Sequence, residues 1–190
     1  MSTQPKPTQT VNGVNVDGLF QTVEAVKATP GIARFSLRIR NQWVDAGHNR
    51  STVTDFHGIQ QDISHTVPFV LDADEPAVLL GTDKGASPVE HLLHALASCV
   101  TTSMVYHAAA RGIAIEEVES TVEGDIDLRG FLGLDKNIRN GYQGIRMSFR
   151  IKADVSDEQL QEICRLGPNA SPVFDSLTHG VPVTVACERK

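Results

Sequence analysis

The sequence predicts an α+β fold, and three observations carry that prediction. Apolar and polar residues alternate with a period of two from Arg34 to Arg40, over Val118–Leu128 and again over Ile145–Lys152. Between the first and second of these lies a long run of small and apolar residues, HLLHALASCVTTSMVYHAAA, introduced by Ser87-Pro88-Val89-Glu90. That introduction is a capping box with proline at the first helical position, so a long helix is expected to about Arg111. A second capping box, Ser156-Asp157-Glu158-Gln159, opens another helix after the last alternating segment.

Composition sets the bounds. The 190 residues suit one domain with an extra N-terminal element, and 41% hydrophobic with 21% charged residues is ordinary globular usage. We therefore divide the chain into residues 1–33, a polar tail with a short helix, and residues 34–190, the main domain. No apolar run approaches the ~20 residues that span a bilayer, and the polar start lacks the apolar core of a secretory signal. A net charge of −6 gives no electrostatic invitation to nucleic acid or an anionic membrane, and both are rejected as primary partners. Cys99, Cys164 and Cys187 are too few and too scattered for a disulfide-stapled secreted fold, and no C-x-x-C pair suggests zinc. A reducing cytoplasmic location is expected.

Taken in order, residues 1–16 read as tail. A short helix follows, with Asp17 as its N-cap, Leu19, Phe20, Val23 and Val26 on its apolar side and a stop before Pro30. Phe35, Leu37 and Ile39 alternate with Arg34, Ser36, Arg38 and Arg40 as in a half-buried strand. Further strands are expected over Ser51–Phe56 and Ile63–Leu71, with Gly47 and Gly58 as turn residues. Asp72–Gly85, with Pro76, two glycines and four acidic residues, reads as loop. The long helix is expected to be buried on most of its surface and to end at a left-handed Gly112. Val118, Val122, Ile126 and Leu128 then face one side of a strand paired with Ile145–Lys152, acidic residues opposing basic ones. Gly130–Gly144 is a long connection for a hairpin. Leu160, Ile163 and Cys164 line a helix ending at Gly167-Pro168, and Ser171-Pro172 starts a short one. Val181, Val183, Val185 and Cys187 share one face of a terminal strand.

Among these elements the sharpest chemical candidate is Cys99. It lies 12 residues, about 18 Å, from the start of its helix, beyond the reach of the helix dipole, so a reactive thiolate there needs a cation from elsewhere. Leu92, Leu96, Ser103 and Tyr106 fall near its helical face, with Ala95 and Thr102. That face suits a small organic substrate, and it suits plain core packing equally. Glu90 is explained by its capping role. His91 and His94 have no further ligands at zinc-site spacing, so no metal site is assigned. Cys164 and Cys187 are in phase with apolar core positions.

Two longer motifs bring a family into view. Asp74-Glu75-Pro76 with Leu80-Gly81-Thr82-Asp83-Lys84-Gly85-Ala86-Ser87-Pro88-Val89-Glu90-His91-Leu92-Leu93-His94-Ala95-Leu96-Ala97-Ser98-Cys99 resembles the first signature of the OsmC/Ohr family. Ser171-Pro172-Val173-Phe174-Asp175-Ser176-Leu177 with Gly180-Val181-Pro182-Val183 resembles its second, and the likeness runs from about Arg34 to Val185. The resemblance implies an intertwined α+β homodimer with antiparallel sheets wrapped around long central helices and active sites at the subunit interface. It implies further that a thiolate, here Cys99, attacks an organic hydroperoxide and becomes a sulfenic acid, activated by an N-terminal arginine. Arg50 is the best match for that arginine, with Arg38 and Arg40 in reserve. Ser171 stands where the family's second cysteine would be, and the family's acid falls at Val89, leaving Glu90 as its substitute. The sulfenic acid would be resolved by Cys164 or by an external thiol or lipoyl-type dithiol, with no cofactor. Leu92, Leu96, Ser103, Tyr106 and Ser171 are the expected substrate pocket. The alternative function is a non-catalytic protein that binds a small apolar ligand at the dimer interface.

Overall fold

A computed structural model describes residues 8–190. They cluster into two compact units. One holds Asn15–His94 with the segment up to Gln9, and the other holds Thr10–Val14 with Ala95–Lys190. The part of the expected tail before residue 8 lies outside the described residues. Residues 10–15, expected as tail, form a small hairpin of β1 (Thr10–Val11) and β2 (Val14–Asn15). Its turn residue Asn12 is left-handed, and its side-chain amide bridges Ile113 O at 3.0 Å and Ile115 N at 2.8 Å. That pair of bonds ties the turn of the hairpin to the segment that follows the long helix.

In the first unit, helix α1 (Val16–Ala28) is capped by Asn15, whose Oδ1 accepts from Gly18 N at 2.8 Å. Asp17, the expected cap, sits instead in the first turn, where its carboxylate accepts from Gln9 N at 3.0 Å. A 3-10 turn, Pro30–Ala33, follows. The strand expected from Arg34 is divided into β3 (Ser36–Leu37) and β4 (Arg40–Asp45), which pair with opposite ends of β5 (His48–Gly58). β6 (Gln61–Ala73) runs antiparallel along β5, and their register breaks between Val53 and Asp55. Pro68, which lacks an N–H, sits within that break, where no ladder bond is forfeited. The β5–β6 turn is Ile59–Gln60, both left-handed, and not Gly58. Gly58 ends the strand beneath Phe35, whose Cε1 would lie 2.4 Å from a β-carbon there. The strand continues through Asp72 and Ala73, two residues expected in the loop.

Helix α2 (Pro88–Ala110) starts and ends as its caps dictate. Ser87 N and Oγ each donate to Glu90 Oε2 at 2.7 Å. At the other end Gly112 is left-handed, Ile113 N donates to Ala108 O and Gly112 N to Ala109 O, a Schellman motif. Only one stripe of α2 is buried in the single chain, Leu96, Val100, Met104 and Ala108 with Ala109, rather than most of its surface.

In the second unit β7 (Glu117–Asp125) pairs antiparallel with β8 (Gly144–Lys152). The expected charge complementarity is present: Glu119 lies opposite Arg150 and Glu123 opposite Arg146. Ile126 and Leu128 fall outside β7, because Asp127 caps a short helix α3 (Leu128–Phe131) by accepting from Arg129 N at 3.0 Å. Val118, Phe149 and Ile151 pack against a core of Met104, Ala108, Ile113 and Ile163. Ile163 belongs to α4 (Asp157–Ala170), whose Ser156–Gln159 capping box forms as expected. Gly167-Pro168 does not end α4, which runs three residues past Gly167 to Ala170. A β-carbon at Gly167 would lie 2.8 Å from Val100 Cγ1 and 2.9 Å from Val100 O, so its backbone is seated on α2. That contact holds the last turn helical despite the proline. α5 (Pro172–His179) follows, capped by Ser171 Oγ, which accepts from Phe174 N at 3.1 Å. The expected terminal strand forms no ladder: residues 181–190 carry no regular structure, and Val183 is 80% exposed. Alternation gives a segment its two faces, but a strand also needs an edge to bond.

Candidate functional site

Cys99 stands in mid-α2, half-buried and in no disulfide. Of the residues expected near its face, Leu96 is buried, Ser103 half-buried, and Leu92 and Tyr106 exposed. Cys164, on α4, is also half-buried and free, whereas Cys187 is exposed rather than in a buried phase. Ser171, at only 2% exposure, is committed as the cap of α5.

The loop leading into α2 is built around Asp74. Its carboxylate accepts from Glu75 N, Thr82 N, Thr82 Oγ1 and Lys84 N at 2.6–3.2 Å. The Thr82 hydroxyl, followed by the three backbone N–H groups, lowers its pKa to about 2. Gly81 and Gly85 are required here by close approach, since β-carbons would lie 1.8 Å from Glu75 O and 2.3 Å from Asp72 O. Glu90 is held below the usual carboxylate range by the Ser87 hydroxyl and N–H, so its oxygens serve the cap.

The three candidate arginines are all ion-paired. Arg38 bonds Asp55 and Asp62, each at 3.0 Å, and Arg40 bonds Thr54 Oγ1 at 3.0 Å beside Asp55. Arg50 is gripped from its side by Asp72, Nε to Oδ1 at 2.9 Å and Nη2 to Oδ2 at 3.2 Å. The same Oδ1 accepts from Nε2 of buried His48 at 2.8 Å, and Asp72 O accepts from Nε2 of His91, on the first turns of α2, at 3.0 Å. Arg50 first, then His48, holds the Asp72 carboxyl below its ordinary range, and Asp72 in turn raises the Arg50 pKa. Asp72, His48 and His91 were not singled out as a cluster from sequence. Period-two alternation assigns faces, but the pairing of Arg50 with Asp72, 22 residues later, depends on the register of β5 against β6.

Among the described residues, no three His, Cys, Asp or Glu side chains converge as metal ligands. None of the described helices is long and apolar enough to cross a membrane. On the β3–β5–β6 face, Phe35, Phe56, His65 and Phe69 follow one another with ring centroids 5.0–6.0 Å apart. Phe35, Leu37, Ile39, Val53, Phe56 and His65 line an open apolar groove of about 510 Å³ there.

A long cysteine-bearing helix, an Asp74-centred loop before it and antiparallel sheets in both units are the features of an OsmC-type α+β protein. The family model described as OsmC-like protein matches residues 81–186, more than half of the chain. The chain belongs to the OsmC-like protein family. The matched stretch contains Cys99 and Ser171 and begins after β6, so Arg50 lies outside it. An OsmC like protein from Mycoplasma pneumoniae is similar in fold, with a TM-score of 0.57 and 19% identity over 75% of this chain and 87% of that one. An organic hydroperoxide resistance protein OsmC from Legionella pneumophila is similar with a TM-score of 0.51 and 13% identity, covering 74% and 88%. No curated protein matches the sequence.

Proposed function

We propose that the protein reduces organic hydroperoxides through the thiolate of Cys99, with Arg50 as its activating cation. The observation that carries this reading is a free, half-buried thiol in the middle of α2, at the position where the family resemblance puts the attacking sulfur. The Legionella protein's description as an organic hydroperoxide resistance protein is in keeping with it. In the reaction the sulfur attacks the distal peroxide oxygen, the O–O bond breaks, and the departing alkoxide takes a proton to leave as the alcohol. Cys99 is left as a sulfenic acid. Two equivalents of external thiol, or one lipoyl-type dithiol, then return it to the thiol, releasing water and forming the reductant's disulfide.

Resolution runs through an external thiol or through Cys164, which is free and half-buried on α4. The active unit is read as a homodimer. The exposed Phe35, Leu37, Ile39 and Phe69 face in unit one, and the unladdered Val181–Val185 segment in unit two, are the surfaces a second copy would cover. Consumption of cumene hydroperoxide with a dithiol reductant tests the function: Cys99→Ser should abolish turnover, and unchanged turnover would contradict it.

A second reading, a binding protein for a small apolar ligand, is favoured by the apolar groove beneath Phe35 and Phe56. Copurified ligand in native mass spectrometry, with an unreactive Cys99, would support it over the first.

A further inference from the structure

We propose that the groove on the β3–β5–β6 face takes a small, uncharged aromatic compound carrying a hydroxyl group, with the imidazole of His65 as the partner of that hydroxyl; this rests on the small-ligand reading. The groove's volume of about 510 Å³ lies in the range of about 300–1,000 Å³ that takes small molecules. Its walls are apolar except at Arg38, Asp55 and His65. Arg38 is already committed, Nε to Asp55 Oδ1 and Nη2 to Asp62 Oδ1, each at 3.0 Å. Arg40 also approaches Asp55, at 3.7 Å. A charged ligand would find neither a free cation nor a free carboxylate there, and would lose its hydration without compensation.

His65 is the polar group that remains. Between the Val53–Phe69 and Asp55–Ser64 pairs the ladder slips, so four residues of β6, His65–Pro68, stand opposite Thr54 alone. Such a bulge frees a strand to re-aim a side chain. The half-buried His65 ring is set between Phe56 and Phe69, with centroids 5.5 and 5.0 Å away. Among the described residues neither of its nitrogens makes a hydrogen bond, whereas His48, His57, His91 and His179 each bond an oxygen. A neutral imidazole offers one N–H and one lone pair, and a hydroxyl can answer either. Phe35 and Phe56, stacked with ring centroids 6.0 Å apart, give an aromatic body a surface to lie against.

The test is equilibrium dialysis of the full chain against naphthalene, 2-naphthol and 2-naphthoate, which share one ring system and differ in the head group. The wild type should bind 2-naphthol about tenfold more tightly than naphthalene, the usual effect of one hydrogen bond, and 2-naphthoate most weakly. His65→Phe keeps the row of rings and removes both nitrogens. In that variant naphthalene binding should stay and the advantage of 2-naphthol should vanish. If it does not fold, His65→Leu carries the same comparison. Equal binding of 2-naphthol and naphthalene by the wild type would leave the small-ligand reading standing and overturn the hydroxyl assignment. So would an advantage that survives in His65→Phe, or 2-naphthoate binding best, which would make Arg38 an anion site. If none of the three binds, the groove is no ligand site, and the small-ligand reading falls with the proposal.

Discussion

Asp74 shows how one side chain organises the approach to the site. It is 1% exposed yet ionised, because four donors surround it. Its folded pKa of about 2 lies below the roughly 3.9 of an unfolded aspartate, so the unfolded chain binds the proton more readily. The stabilisation it gives is fully present above about pH 4 and is lost as pH falls through about 2. Urea unfolding between pH 2 and 5 should show stability falling with acid in the wild type. In Asp74→Asn the fall should be shallower, from a lower starting stability at neutral pH. An equal slope in both proteins would contradict the assignment. From sequence, Asp74 was legible as the start of a family signature but not as an acceptor, since its donors lie up to ten residues away and are gathered by backbone turns at Leu80 and Asp83. Cys99, by contrast, was legible because the motif around it is contiguous.

At the scale of elements, most boundaries set by local chemistry follow the sequence, although Asn15 rather than Asp17 caps α1 and β7 ends before Ile126. The capping boxes of α2 and α4, the Gly112 cap and the β7–β8 alternation all depend on residues close in sequence. Misreadings arose where packing overrode a local signal, as at Gly167-Pro168, a normal helix stop that is held helical against Val100. Gly167→Ala sets two effects against each other. Helix propensity favours alanine by up to about 1 kcal/mol, whereas forcing a methyl into a packed contact costs about 1–3 kcal/mol. With a backbone oxygen 2.9 Å from the new β-carbon, the contact should win and the variant should melt at lower temperature. A raised melting temperature would show that α4 can retreat from α2.

Across the whole molecule, the sequence disclosed the α+β class and the family, but not where the apolar faces find cover. Alternation marks Leu37, Val183 and Val185 as one-sided positions, and in the single chain all three are exposed. Their cover would come from a partner whose pairing no single-chain periodicity encodes. Sedimentation equilibrium should therefore give twice the mass of one chain, and a monomer at micromolar concentration would contradict the dimer. The central claim concerns Cys99, and its most direct test is peptide mass spectrometry of the reduced protein after brief exposure to cumene hydroperoxide and a sulfenic-acid trap. The account predicts an adduct on Cys99 well before Cys164 or Cys187 reacts. A Cys99 that stays reduced, or that reacts no faster than exposed Cys187, would contradict it.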